Sequence, residues 1–174
     1  MSQSPVSIEN YLRTYDHLQE AIAGLNDEQL LWKASERSWS VTEVLTHLTD
    51  HNLVVSFRLR EVLADSEAVL PAFSQDEWVT GQRANEARAA DVLAAFQALL
   101  RYNSLLFRRL SAEDWRKSGV NFKGRTVTVA AIAQAFIDHV HHHLEQIERI
   151  KQGEKSSRES SGSESGWRRC RAAK

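Results

Sequence analysis

Apolar residues recur every three or four positions along four long stretches of this chain, and that spacing marks one face of an α-helix. The stretches predict helices over residues 7–24, 40–64, 89–110 and 127–151. Two predicted ends carry further signals, because Ser40 and Glu43 form a capping box and Gly24 is a typical helix stop. The 174 residues include two Pro and seven Gly, which excludes a turn-rich all-β fold. The chain is therefore predicted to be all-α.

The longest connection, residues 65–81, joins the second predicted helix to the third. It contains Pro71, Phe73 and Trp78, so we expect it to pack back on the helices. The loop before the fourth helix has β-branched residues around Lys123-Gly124, which allows a short strand pair. Four long helices with one long crossover between helices 2 and 3 predict a four-helix bundle.

The composition changes after Gln152. Residues 153–174 hold six Ser and three Gly and almost no apolar side chains, so they cannot bury enough surface to offset the entropy of ordering. The sequence predicts a four-helix bundle over residues 1–152 and a disordered Ser/Gly-rich tail over residues 153–174. The single cysteine, Cys170, falls in this tail and is expected to be an ordinary exposed thiol.

The charge balance argues against a nucleic-acid partner. The formal net charge is −1, whereas a nucleic-acid binder normally carries a clear basic excess. No apolar run approaches the roughly 18 residues of a transmembrane helix, so no membrane partner is predicted. The N-terminal residues show no basic segment before an apolar one, and one cysteine fits a reducing compartment. A cytoplasmic location is therefore expected.

Four histidines lie within five positions of the fourth predicted helix, at 139 and 141–143. At about 100° per residue, His139 and His143 both fall inside the apolar stripe that faces the core. His142 falls on the flank of that stripe, and His141 falls on the opposite side. Burying an unpaired polar ring costs about 1–3 kcal/mol, so the two inward rings need partners. A shared metal ion is one solution, and hydrogen bonds to neighbouring helices are the other.

A third metal ligand would come from a facing helix, and the second helix offers His47 and His51. By helix angle, His51 lies inside the apolar stripe and His47 lies at its edge. Glu43 and Asp50, one turn on either side, favour His47 because a carboxylate can orient a metal-bound imidazole. The residues alone leave this choice open. His17 is a more distant candidate and is expected at the surface.

The tryptophans are assigned structural roles. Trp39 is expected to staple the start of the second helix against the first. Trp32 and Trp115 are expected to cover the ends of the bundle. Trp78 is the exception, because the crossover that carries it could form a wall of a metal pocket.

Three segments resemble the DinB-like superfamily and its YfiT-like members. They are WSVTEVLTHLTD in the second helix, VLPAFSQDEW in the crossover and FIDHVHHHLEQI in the last helix. The resemblance covers residues 7 to about 152 in the right order, and it implies a metal-binding four-helix bundle. The histidine of the family's H-L-x-D motif corresponds to His47, and the pair on the last helix corresponds to His139 and His143. The resemblance thus implies a metal triad of His47, His139 and His143, with His142 outside it.

Three protein ligands leave a coordination position open, which is the pattern of a catalytic metal site. The family includes bacillithiol S-transferases and mycothiol-dependent isomerases. The resemblance therefore implies a metal-dependent thiol S-transferase or hydrolase that acts on a small electrophilic substrate. Its cofactor would be a divalent ion, zinc or nickel before manganese or iron, joined in a transferase by a low-molecular-weight thiol. The other hypothesis is a non-catalytic metal-binding stress-response bundle that acts through dimerisation, and the family also suggests a homodimer.

Overall fold

The computed structural model describes residues 4–169, with side chains over residues 4–160. Its elements, in chain order, are α1 (Ile8–Ile22), α2 (Asp27–Leu31), α3 (Val41–Leu63), α4 (Gln75–Gly81), a 3₁₀ turn (Ala84–Glu86), α5 (Ala89–Phe107), a 3₁₀ turn (Asp114–Arg116), β1 (Ser118–Val120), β2 (Thr126–Thr128) and α6 (Val129–Arg169). The long helices α1, α3, α5 and α6 correspond to the four predicted helices. The fold is an all-α four-helix bundle with a long crossover between the second and third long helices, as predicted.

The helix caps and turn residues predicted from the sequence are found at the expected positions in the structure. The hydroxyl of Ser40 accepts a hydrogen bond from the Glu43 N–H, and the Glu43 carboxylate accepts one from the Ser40 N–H, so the capping box starts α3. Gly24 follows the end of α1 with a positive φ of 80°, which favours glycine. β1 and β2 pair antiparallel around a turn in which Gly124 has a φ of 71°. The predicted strand pair is therefore confirmed.

In the bundle, α3 packs between α5 and α6, and α1 packs against the same two helices from the other side. The core between them holds large, fully buried side chains, among them Tyr11, Leu48, Phe96, Phe107, Phe136 and Ile147. None of the described helices combines the length and the apolar character needed to cross a membrane.

A buried polar network fixes how α3 is rotated within the bundle. The Asn103 amide on α5 donates hydrogen bonds to Asn52 Oδ1 and Ser56 Oγ on α3, at 3.1 and 2.6 Å. The Tyr11 hydroxyl on α1 also donates to Asn52 Oδ1, at 3.2 Å. Because these hydrogen bonds are directional and buried, they fix the rotation of α3 about its axis. The preceding part of α3 is thereby held with His47 and His51 facing α6.

The crossover packs back on the bundle, as predicted. The Arg58 guanidinium on α3 donates to the Pro71 carbonyl, at 2.5 Å from Nη2. The Gln82 amide donates to the Asp50 carboxylate on α3, at 2.6 Å. The Leu70 N–H donates to the Val120 carbonyl and ties the crossover to the hairpin, at 2.8 Å. These contacts hold the intervening segment, which includes Phe73, over the face of α3 that carries His47.

The last helix continues past Gln152, the residue at which the sequence analysis placed the end of the bundle. Glu154 is buried, accepts a hydrogen bond from the Gln29 amide at 3.3 Å, and pairs with Arg158 one turn on. Composition could not show this because the stabilising partner comes from α2. The backbone stays helical through residue 169. The exposed thiol predicted for Cys170, like the disorder predicted for residues 170–174, lies outside the described residues.

Candidate metal centre

Three histidine rings from two helices meet between α3 and α6. The Nε2 atom of His47 lies 3.0 Å from Nε2 of His139, and Nε2 of His143 lies 3.2 Å from the same His139 atom. Each ring offers one nitrogen within 4.8 Å of the others. His47 and His143 are buried, and His139 is half-buried. The fold thus brings together the three histidines that the family resemblance indicated.

These contacts suit a shared cation better than hydrogen bonds among neutral rings. Each nitrogen of a neutral imidazole carries either a proton or a lone pair. The Nε2 atom of His139 can therefore make one in-plane hydrogen bond. Its contact with the other of the two histidine nitrogens is then left unsatisfied. A tetrahedral ion with metal–nitrogen bonds of about 2.1 Å separates its ligand nitrogens by about 3.4 Å, close to the observed distances. The residues present therefore fit a divalent metal ion.

Burial keeps the rings in the form that binds a metal. It lowers the pKa of His47 to about 3 and the pKa of His139 to about 4, with smaller contributions from the charge of neighbouring histidines. Burial also lowers the pKa of His143. All three rings are neutral at physiological pH, so a metal ion does not have to displace a proton from them.

His51 lies beside the three rings but does not join them. Its ring centroid is 4.1 Å from that of His139 and 6.1 Å from that of His47. Helix angle favoured His51 on the assumption that α3 has one buried stripe. The first two turns of α3 are instead buried on all sides, from Val41 through Leu48. His47 is fully buried in this segment and His51, one turn on, is only partly buried, and the position of α6 brings His47 to His139 and His143.

The remaining histidines lie outside the cluster, in line with the sequence analysis. His141 and His142 are exposed on α6. The His141 ring lies 5.6 Å from the ring of His17 on α1, away from α3. The sequence analysis thus separated the inward-facing pair on α6 from its neighbours correctly.

Gln146 orients one ring of the cluster, and the sequence analysis missed it. Its Oε1 atom lies 2.7 Å from Nδ1 of His143 and accepts the Nδ1 proton, which leaves the His143 Nε2 lone pair free. The i, i+3 spacing from His143 was the available signal. The orienting role expected of Glu43 and Asp50 is wrong, because Glu43 bonds Ser40 and Lys33, and Asp50 bonds Gln82.

Two aromatic side chains cover the cluster. The ring centroid of Trp39 lies 5.1 Å from that of His47 and 6.4 Å from that of His143, so Trp39 packs against the candidate metal centre. Phe73 from the crossover stacks on the rings of His47 and His51, at 5.9 and 6.0 Å. Trp78 packs edge-on against Phe73 at 5.2 Å and supports this wall from outside. The crossover therefore covers one side of the cluster, as the sequence analysis anticipated.

A cleft of about 510 Å³ reaches the cluster from the side that Phe73 leaves open. His143 is the ring of the three that lines it, next to Gln146. The indoles of Trp32 and Trp39 form its walls, and Arg37 and Arg149 line it farther out. This volume is in the range of small-molecule sites.

Comparisons with known sequences agree with this arrangement. The sequence pattern of the DinB superfamily matches residues 10–147. A protein of Oceanobacillus iheyensis named "Putative metal-dependent hydrolase" is 29% identical over 137 residues, which are 78% of this chain and 79% of that protein. A protein of Geobacillus thermodenitrificans with the same name is 26% identical over 133 residues, 76% of this chain and 75% of that protein.

Solved structures share the fold at low sequence identity. YfiT from Bacillus subtilis, described as "a probable metal-dependent hydrolase with an unusual four-helix bundle topology", aligns with a TM-score of 0.77 at 19% identity. That alignment covers 87% of this chain and 91% of YfiT. A mycothiol-dependent maleylpyruvate isomerase aligns with a TM-score of 0.62 at 11% identity, over 84% of this chain and 63% of the isomerase.

Proposed function

Because this chain belongs to the DinB superfamily and three of its imidazoles converge beside an open cleft, we propose that it is a metal-dependent enzyme whose divalent ion is held by His47, His139 and His143. When bound, the ion supplies Lewis acidity that lowers the pKa of a thiol or of water at its open coordination position. The reaction is transfer of a low-molecular-weight thiol to a small electrophile, with hydrolysis as the close variant. The names of the sequence relatives support the hydrolytic variant.

The residues around the cluster have different roles in this reaction. Gln146 keeps the proton of His143 on Nδ1, so that Nε2 faces the cluster. Trp39 and Phe73 exclude water from two sides, and a low local dielectric strengthens interactions with a developing charge. The cleft admits the substrate on the His143 side. In the transferase reaction, the sulfur bonds to the electrophilic carbon, the leaving group takes the bonding electron pair, and the thiol proton passes to solvent.

The convergence of three Nε2 atoms beside this cleft is the observation that carries the proposal. A structural metal site is normally closed by four protein ligands, whereas three ligands beside a cleft leave room for a reactant. The described residues offer three histidines here, and no carboxylate joins their cluster. The donor set of three imidazoles suits zinc or nickel ahead of manganese or iron, which accept more oxygen ligands.

The test combines metal analysis with an activity panel. Purified protein is assayed for bound metal, and the metal-loaded protein is then mixed with an activated aryl halide or ester and each of several low-molecular-weight thiols. Turnover with a thiol, lost in His139→Ala and kept in His142→Ala, supports the transferase. Turnover without a thiol supports the hydrolase. Bound metal without turnover in either assay overturns the enzymatic proposal in favour of a non-catalytic metal-binding bundle, whose dimerisation is then measured by sedimentation.

A further inference from the structure

Two exposed arginines line the cleft beyond His143. Arg149 lies 4.0 Å from Glu145, and both side chains are more than half exposed, so this pair contributes little. Arg37 has no carboxylate within 4.0 Å among the side chains that the structure describes. One carboxylate, Asp76, also lines the cleft. The cleft therefore carries one net positive charge, and its two guanidinium groups keep hydrogen-bond donors free.

The sign of this charge differs from that of the surrounding protein. Residues 1–152 carry a net charge of −4, because acidic side chains outnumber basic ones over that range. A cationic cleft attracts anions at this point, whereas the acidic surface around it repels them. Guanidinium groups bind carboxylates and phosphates through paired N–H donors.

One of the two arginines, Arg149, lies on the same helix as His139 and His143. Residues 143, 146, 149, 150 and 153 of α6 all line the cleft, so its floor follows one face of the helix. At 1.5 Å per residue, the backbone of Arg149 lies about 9 Å along the helix axis from that of His143. An anion held by Arg149 would thus lie away from the cluster, with the carbon chain of the ligand between them.

Trp32, in the wall of the cleft, packs against α6 at a glycine. A Cβ atom at Gly153 would lie 3.3 Å from the Trp32 ring, so glycine lets this indole pack closely on the helix. Glycine inside a helix costs about 1 kcal/mol relative to alanine. The indoles of Trp32 and Trp39, together with Ile150, give the cleft apolar surface on which the carbon skeleton of a ligand can lie.

We infer that Arg37 and Arg149 form an anion subsite of the metal cleft, and that the substrate or thiol carries a carboxylate or phosphate at the end remote from its reacting atom. This inference rests on the proposed function, because it takes the metal ion as the point where the reacting atom binds. Arg37 and Arg149 are specificity-determining residues. They hold the far end of the ligand and do not touch the reacting atoms.

The test measures binding of three probes with the same number of carbon atoms to the metal-loaded protein by calorimetry. The probes are 6-mercaptohexanol, 6-mercaptohexanoate and 6-mercaptohexyl phosphate. We expect both anionic probes to bind at least tenfold more tightly than the alcohol at low salt, and this preference to shrink as salt is added. The tighter of the two anions identifies carboxylate or phosphate as the ligand group. Arg37→Gln and Arg149→Gln should each remove most of the preference, whereas Arg101→Gln, on an exposed position of α5, should keep it.

The outcomes separate the two proposals. Equal binding of the alcohol and the anions, or a preference that survives in both cleft variants, overturns the anion subsite and leaves the proposed function in place. A preference lost equally in Arg101→Gln overturns it too, because it would then reflect overall charge. Protein that holds no metal overturns the proposed function and the subsite with it, whereas metal-loaded protein that binds none of the three probes overturns the subsite and leaves the hydrolytic variant in place. Metal content is measured in each variant to show that the cluster is intact.

Discussion

The Nε2 atom of His47 on α3 lies 3.0 Å from the Nε2 atom of His139 on α6, so two imidazoles from different helices aim the same ring nitrogen at one point. His143 adds a third nitrogen from the next turn of α6. A metal ion bound there would join α3 to α6 directly. Such an ion would therefore also link the first and second halves of the bundle.

Single substitutions should distinguish the three metal ligands from the neighbouring histidines. We expect His47→Ala, His139→Ala and His143→Ala each to lower metal affinity by more than about 100-fold. Each substitution removes a side chain that binds the metal directly, and removing a side chain that only orients a ligand already costs about 10–100-fold. His141→Ala and His142→Ala are the matched controls, because both side chains are exposed on the same helix. Affinity is measured by competition with a coloured chelator. If His51→Ala loses the metal while His47→Ala keeps it, the assignment of His47 is wrong.

Gln146→Ala should weaken metal binding without unfolding the protein. The substitution removes the acceptor that holds the His143 Nδ1 proton, and such a loss typically costs about 10–100-fold in affinity. Gln152→Ala, on an exposed position of the same helix, should leave the affinity unchanged. The same chelator competition gives both values, and circular dichroism checks the helix content. Equal affinity in the two variants would show that Gln146 does not orient the ring.

The stability of the metal-free protein should fall as the pH drops from 7 to 5. In the unfolded chain the histidines take up protons near pH 6.5, whereas burial lowers the pKa to about 3 for His47, about 2 for His51 and about 4 for His139 in the folded protein. The unfolded state thus binds more protons in this range, and the free energy of unfolding decreases with falling pH, by up to about 1.4 kcal/mol per pH unit for each ring. Urea unfolding at pH 7, 6 and 5 measures the slope, which should decrease in His51→Phe. A midpoint that does not change between pH 7 and 5 would contradict the prediction.

Phe73→Ala should speed the release of bound metal. The ring covers His47 and His51, so its loss exposes the cluster to water and to chelators on the crossover side. We expect a several-fold higher rate of metal loss to excess EDTA, with the number of bound ions unchanged. Phe57→Ala is the control, because that ring is 50% exposed on α3. Equal rates in the two variants would mean that the crossover does not protect the site.

Glu154→Ala should destabilise the protein although it lies beyond the predicted end of the domain. The carboxylate is buried and bonds the Gln29 amide and Arg158, so the substitution leaves these groups without their partner and should cost about 1–2 kcal/mol. Glu159→Ala, at an exposed position one turn on, should change the unfolding free energy by less than about 0.5 kcal/mol. Thermal unfolding of both variants compares them. A silent Glu154→Ala would place the end of the folded domain back at Gln152.

The sequence by itself determined the helices and the histidines that face inward. Apolar spacing follows from the 3.6-residue turn, so it located four helices and showed that His139 and His143 face the core while His141 does not. Capping signals are equally local, which is why Ser40 and Glu43 marked the start of α3 correctly. The packing of the crossover against the bundle was also predictable, because its aromatic residues need apolar partners.

Only the tertiary structure decided which residues surround the cluster. Helix angle favoured His51, yet His47 is the more deeply buried ring, and the position of α6 brings it to His139. Glu43 and Asp50 were near His47 along the helix, yet Lys33 and Gln82 from other segments took their hydrogen bonds. Glu154 was counted in a tail because its partner, Gln29, lies on α2. In each case the deciding contact joins residues far apart in the chain, and local periodicity contains no information about such contacts.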